Sequence, residues 1–411
     1  MLIQNATRTL VVLVAALTAT GASAFEFHGY FRDSAAFNSK GGGQVCFQLP
    51  GSDFKARLGN ECERYLEMEF SEKGKLNSVD WQVVFMPASA MSTSSADTNS
   101  LFLQQMWAGL KFNDWDGITL WAGRRYWKRH DVHSIDWFYW NPAQGNAAAG
   151  VEDVKLGGFG KAAVTVIKID ATTNPALGTY LVPDIRAYDI PLNTDGTLEV
   201  GLDFGLATDQ NHFLGATRAL GSPLFTVQHN QANIFGGSNT LAFQYGTGAF
   251  SKESGDGPGQ LLSGGTIDNK QWRIIEHLVV NPVPEFSGAL VLVYQNKSAP
   301  SVGLTNASII SAEVRPAYHF SDYFKFALDV FYQRLMFKDA PAGTSDLELI
   351  KVTAAPTFVL GRGYYARPEL RFFVTYGSWN DAAAAAGTMA SGAFGSDKNG
   401  FSMGANIEMW F

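Results

Sequence analysis

The sequence predicts an all-β fold, an 18-stranded antiparallel transmembrane β-barrel. Three observations predict it: an export signal at the start, no apolar run long enough for a membrane helix, and segment after segment alternating oily and polar residues. The last eleven residues show the alternation best. Odd positions read Phe401, Met403, Ala405, Ile407, Met409 and Phe411, while even positions read Ser402, Gly404, Asn406, Glu408 and Trp410. Successive side chains of a strand point to opposite faces, so one face suits lipid and the other water. Trp410 breaks the pattern, because it sits on the polar face where lipid cannot be its reason.

Residues 1–24 read as a signal peptide. Arg8 is the lone charge, an apolar core runs from Leu10 to Leu17, and Ala22-Ser23-Ala24 is a small-residue cleavage site. A membrane helix needs roughly 18 apolar residues, and no stretch approaches that. Residues 25–411 form the barrel domain, expected in the bacterial outer membrane as an integral protein. With 42 glycines and 13% aromatics, the composition suits tight turns and interfacial girdles. A net charge of −7 without a basic run argues against nucleic acid. Cys46 and Cys62 are the two cysteines of an exported chain, so they either form a disulfide or remain free thiols. Their spacing excludes a CxxC metal site.

Strand candidates follow at 27–37, 61–70, 77–87, 105–112, 118–126, 151–158, 161–170, 184–192 and 197–206. They continue at 223–230, 240–249, 272–280, 287–296, 308–317, 324–336, 349–359, 366–377 and 400–411. About nine to eleven residues suffice for a tilted strand to cross a membrane, and closed single-chain barrels favour even numbers. Sixteen is the alternative count, since 151–158 and 272–280 alternate poorly. Short turns at Lys73-Gly74-Lys75, 113–117 and 193–196 suit one rim. Long connections at 38–60, 88–104, 127–150, 207–222, 250–271 and 378–399 suit the other.

Parity also assigns faces. In the first strand Phe27, Phe31, Ala35 and Phe37 face lipid, while His28, Tyr30, Arg32 and Ser34 face the lumen. By the same rule Tyr65 and Glu67 of the second strand point inward, as do Tyr365, Arg367, Glu369 and Arg371 of the seventeenth. Four aromatics, Tyr30, Tyr65, Tyr365 and Trp410, therefore enter a polar lumen on strands that become neighbours when the barrel closes. Aromatic rings stack on the CH faces of sugars, and Arg, Asp and Glu bond to hydroxyl edges. The alternative is that these rings belong to the interfacial girdle or merely fill space.

The densest constellation is Arg129-His-Asp-Val-His-Ser-Ile-Asp-Trp-Phe-Tyr-Trp140. A metal site from His130, Asp131, His133 and Asp136 is one reading, but His-x-x-His alone is weak and lacks a third ligand at helical spacing. A glycosidase pair, Asp131 with Asp136, is another, without a demonstrable hydrolytic separation. A charged loop folded into the barrel as a constriction is the better reading.

Taken together, the runs FHGYFR (27–32), CFQ with RLGNECE (46–63), LWAGRRYWKRHDVHSID (120–136), TLEVGLDFG (197–205), ARPELRFFVTY (366–376) and NIEMWF (406–411) resemble the maltoporin family of outer-membrane sugar porins. The resemblance implies a homotrimer, a Cys46–Cys62 disulfide in the first external loop, and a third loop folded inward. It further implies facilitated diffusion of maltose and maltodextrins along an aromatic slide. Tyr30, Tyr65 and Trp410 match slide positions, and Tyr365 stands where the family has Trp. Arg32, Arg57, Glu67, Arg129, Asp131, His133 and Asp136 match polar-track or constriction positions. Phe138 replaces a constriction Tyr, Leu103 stands where the fourth strand has an Arg, the run 91–97 lacks a latching Trp, and Phe235 is the nearest substitute for a slide Phe. No cofactor, metal or enzymatic activity is expected. The rivals are a porin for another oligosaccharide such as sucrose, a general weakly selective porin, and a barrel enzyme.

Overall fold

The computed structural model describes residues 23–92, 100–143, 146–170, 179–207, 222–251, 269–299, 304–338, 345–386 and 392–411. The expected signal peptide, 1–24, lies outside these residues except for Ser23 and Ala24, as do 93–97 of the run 91–97 and much of 207–222 and 250–271.

Among the described residues, eighteen strands make the wall. The first six are β1 (Ser23–Asn38), β2 (Glu63–Leu76), β3 (Val79–Ser92), β4 (Ser100–Phe112), β5 (Ile118–Arg124) and β6 (Ala147–Lys155). Next come β7 (Lys161–Asp170), β8 (Thr179–Asn193), β9 (Gly196–Phe204, continued by Leu206–Ala207), β10 (Pro223–Ile234), β11 (Gly237–Thr247) and β12 (Lys270–Val283). The last are β13 (Phe286–Ala299), β14 (Leu304–His319), β15 (Phe324–Phe337), β16 (Leu347–Val359), β17 (Glu369–Trp379) and β18 (Asn399–Trp410). Each strand pairs antiparallel with its neighbours in sequence, and β18 pairs with β1 in the register Tyr30↔Trp410. That last pairing closes the barrel and leaves no free edge.

The alternation read from the sequence decides which side each residue faces. Phe27, Leu110, Val164, Leu202, Leu241, Ile274, Leu292, Val330, Ile350 and Phe372 are each about 40% exposed on the outer surface. Their neighbours Ser34, Asp203, Thr226, Gln228, Gln244, Asp329, Lys351 and Glu369 are buried inside. The poorly alternating 151–158, as far as Lys155, and 272–280 fall on strands, so the count of eighteen holds and sixteen does not.

Three local expectations shift. The turn placed at Lys73–Lys75 belongs to β2; the chain reverses at Asn77-Ser78, where Asn77 adopts φ 54°, a left-handed conformation that Asn tolerates. β17 starts at Glu369, so Tyr365 and Arg367 precede it on the connection from β16; Pro368 has no N–H to give a ladder. In β4 the pairing jumps from Met86↔Gln105 to Pro87↔Leu103, leaving Gln104 as an extra residue. Pro87 cannot donate at that step, and the bulge turns both Gln104 and Gln105 inward.

One rim has short turns of two to nine residues and the other carries the long loops. Two of those loops pack against the lumen wall. Residues 39–62 are closed by the Cys46–Cys62 disulfide, with Cα atoms 6.0 Å apart. At their inner end Gly59 adopts φ +61°, and a Cβ there would lie 2.3 Å from Thr375 Oγ1. The carbonyls of Leu58 and Gly59 accept from Lys351 Nζ (3.0 Å) and Thr375 Oγ1 (2.9 Å).

Residues 125–143 follow β5 and include a small hairpin, His130–Val132 against Trp137–Trp140. Trp127, Ile135, Trp137, Tyr139 and Trp140 are buried with inward-facing residues of the wall in one apolar cluster. Gly201, on the inner face of β9, leaves the space that Trp140 occupies: a Cβ there would meet Trp140 Cζ2 at 2.2 Å.

Candidate functional site

The β1–β18 register puts Tyr30 directly opposite Trp410, and the β1–β2 register puts Tyr65 diagonal to Tyr30. The rings form one row. Tyr65 and Tyr30 have centroids 6.1 Å apart, Tyr30 and Trp410 stack at 6.5 Å with planes 22° apart, and Trp410 lies 6.4 Å from Tyr365. Phe235 is not part of this row; it sits on the β10–β11 turn and is 67% exposed.

Charged groups flank the row. Arg32 Nη2 reaches Glu63 Oε1 at 2.7 Å and Asp136 Oδ2 at 3.2 Å. Arg57 Nη2 donates to Tyr30 Oη (2.6 Å) and Glu408 Oε1 (2.9 Å), while its Nε donates to Glu61 (2.7 Å). Glu67 Oε1 accepts from two hydroxyls, Tyr65 Oη (2.6 Å) and Tyr126 Oη (2.5 Å). Gln104 Nε2 completes the Tyr65 hydroxyl at 2.9 Å. Beside Tyr126 the Arg129 guanidinium is held between two rings, 3.8 Å from the Tyr126 centroid and 4.3 Å from that of Phe138.

These groups surround a cavity of about 540 Å³. Every residue expected at the site lines it except Tyr365, which is the next ring along the row. The four groups weighed as metal ligands diverge. His130 lies 2.9 Å from Glu199 and stacks on Trp140, whereas His133 faces Arg57 (3.0 Å) and Glu408 (3.2 Å). Among the described residues, no group of three or more His, Cys, Asp or Glu is arranged to hold a metal.

The segment carrying His133 and Asp136 is pinned at several points. The Ser134 carbonyl accepts from Arg57 N (2.9 Å) and Arg315 Nη2 (3.0 Å), and its hydroxyl meets Glu313. Tyr139 Oη donates to Gln228 (2.5 Å), Trp140 Nε1 to Asp203 (3.0 Å), and Arg186 Nη1 to the Lys128 carbonyl (2.8 Å). Burial lowers the affinity of His133 for a proton, and the adjacent Arg57 reinforces this, so its pKa falls below the ordinary value. Burial pushes the Asp136 carboxyl upward, but Arg57 and Arg32 outweigh it and hold it below the usual carboxylate range.

A family model described as LamB porin matches residues 25–411. The chain belongs to that family. It is an integral protein of the outer membrane and a porin by family. Among solved structures, it is similar to OpdQ of Pseudomonas aeruginosa at 9% identity, covering 94% of this chain and 98% of that one, with a TM-score of 0.48. It is also similar to the OmpF of Salmonella typhi in complex with daunomycin, at 12% identity, covering 94% and 97%, with a TM-score of 0.46. OmpT of Vibrio cholerae in its trimer form matches at 8% identity over 94% and 100%, with a TM-score of 0.42.

Sequence reasoning missed Gln104, Tyr126 and Glu408 as site neighbours. Glu408 was legible, sharing the inward face with Trp410. Gln104 was hidden by the bulge, and Tyr126 by lying past the end of β5.

The Asp136 shift fixes a pH dependence. A depressed carboxyl stabilises the fold while ionised, so the contribution is present above the ordinary value of about 4 and is lost as pH falls through the lower folded value. The lowered carboxyl also keeps its charge through this range, so the conductance difference between the wild type and Asp136→Asn should be constant from pH 8 to pH 5 and vanish only below. A difference that already disappears above pH 5 contradicts this assignment.

Proposed function

We propose that this protein is a homotrimeric outer-membrane porin that passes sugars by facilitated diffusion, with maltose and maltodextrins as its first candidate substrates. In this reading residues 1–24 direct export and are removed, and residues 125–143 act as the third loop that narrows the pore. The observation that carries the proposal is the unbroken row Tyr65–Tyr30–Trp410–Tyr365 beside Arg32, Arg57 and Glu67. A pyranose moving along such a row exchanges one stacking partner for the next. Its hydroxyls meanwhile trade water for fixed donors and acceptors, so no step requires full desolvation. Weak, repeated contacts suit a conduit, because a solute held tightly would block it. The channel is not an enzyme and uses no cofactor or energy source.

A second reading, a porin for another oligosaccharide such as sucrose, draws on two residues. Phe138 offers no hydroxyl to the cavity, and Gln104 presents a neutral amide at the Tyr65 end. A general, weakly selective porin would show no sugar-dependent change in ion current at all.

Support for a trimer comes from the outer face. Asp33 and Arg64 form a 2.8 Å pair on the outward side of β1 and β2, level with the aromatic row. A charge facing lipid costs up to roughly 2–4 kcal/mol depending on its depth, so this face is better covered by another copy of the chain than by lipid. Ala35 and Ser89 beside it are small enough to admit a close neighbour.

Single-channel current in planar bilayers tests the transport reading with maltose, maltotriose and sucrose in series. Sugar should interrupt the current, and Trp410→Ala should shorten the interruptions about twofold to thirteenfold with nearly unchanged ion conductance, as expected for roughly 0.5–1.5 kcal/mol per ring. Current indifferent to every sugar sinks the reading. For assembly, the mass of the detergent-solubilised protein should be that of three chains, and a mass of one chain contradicts the trimer.

A further inference from the structure

Glu408 does not line the cavity, being only 1% exposed, yet five side chains around the site converge on it. Its two carboxylate oxygens divide the work. Oε1 accepts from Tyr30 Oη (2.9 Å) and Arg57 Nη2 (2.9 Å), and lies 3.2 Å from His133 Nε2. Oε2 accepts from Arg367 Nε (2.9 Å) and from Arg371 Nη2. One carboxylate thus joins β1, the first loop, the 125–143 segment and the connection leading into β17.

The partners of Glu408 are also the neighbours of the rings. The Arg367 guanidinium lies 4.2 Å from the Trp410 ring centroid, and the His133 ring meets Trp410 edge-on at 5.5 Å. Tyr30, whose hydroxyl donates to Glu408, stacks on the same indole. The carboxylate therefore fixes Tyr30 through its hydroxyl and Trp410 through the two groups packed around it. We infer that Glu408 is the positioning residue of the aromatic row, holding Tyr30 and Trp410 in the geometry a solute meets without touching the solute itself.

Its functional consequence rests on the sugar reading, but its structural content does not. Glu408→Gln keeps the shape and removes the charge that Arg57, Arg367 and Arg371 share. In a crystal structure of that variant the Tyr30 and Trp410 rings should leave their stacked arrangement and the Arg367 side chain should lift from the indole. Rings in unchanged positions overturn the inference, whatever the sugar results. Should the Gln variant fail to assemble, Glu408→Asp retains the charge but retracts it by one methylene, and the same comparison applies.

In bilayers, with whichever of maltotriose or sucrose blocks the wild type, Glu408→Gln should shorten sugar residence several-fold. Tyr30→Phe should shorten residence less in the Glu408→Gln background than in the wild type, because the Tyr30–Glu408 hydrogen bond is already altered there. Effects that simply multiply overturn the coupling. A wild-type pore that no sugar blocks sinks the sugar reading alone, and the ring positions still decide the role of Glu408.

Discussion

Buried charge pairs hold this molecule's interior together, because a barrel of eighteen strands is too wide for its walls to meet in an apolar core. The loops that fill it bring backbone carbonyls and hydroxyls into low-dielectric space, where each must find a partner. Lys351 and Asp329, both fully buried 2.8 Å apart, receive the end of the first loop through the Leu58 carbonyl. Arg315, between Glu313 and Asp329, receives Ser134, and Arg186, between Asp184 and Glu199, receives Lys128. Breaking such a pair on one side costs about 3–5 kcal/mol, far more than a surface pair contributes. The wall therefore specifies where the loops sit, and the loops specify the shape of the cavity.

That dependence explains how much was legible in advance. Alternation alone placed the eighteen strands and their faces, since period 2 is a covalent property of an extended chain and a closed barrel must put one face in lipid. It also found Tyr30, Tyr65 and Trp410 as inward rings. Tyr365 was reached by extending parity past Pro368, where the strand has already ended, so its place beside Trp410 depends on the connection rather than on period.

What parity could not supply is anything that breaks the period or crosses between distant segments. The bulge opposite Pro87 turns Gln104 toward Tyr65, against the alternation of β4. The meeting of Arg32 with Asp136 and of Arg57 with His133 joins residues roughly a hundred positions or fewer apart through two folded loops. Glu408 was visible as a polar residue on the inner face, but its five partners come from β1, the first loop, the 125–143 segment and residues 367–371 at the start of β17.

In the proposed function a solute travels along the ring row, held on one side by stacking and on the other by the charged groups around Arg32, Arg57 and Glu67. A crystal structure of the protein soaked with maltotriose tests this most directly. Pyranose rings lying against Tyr65, Tyr30, Trp410 and Tyr365 in succession are the predicted result. A cavity that stays filled by water at saturating maltotriose and sucrose, or sugar bound away from the row, would contradict it.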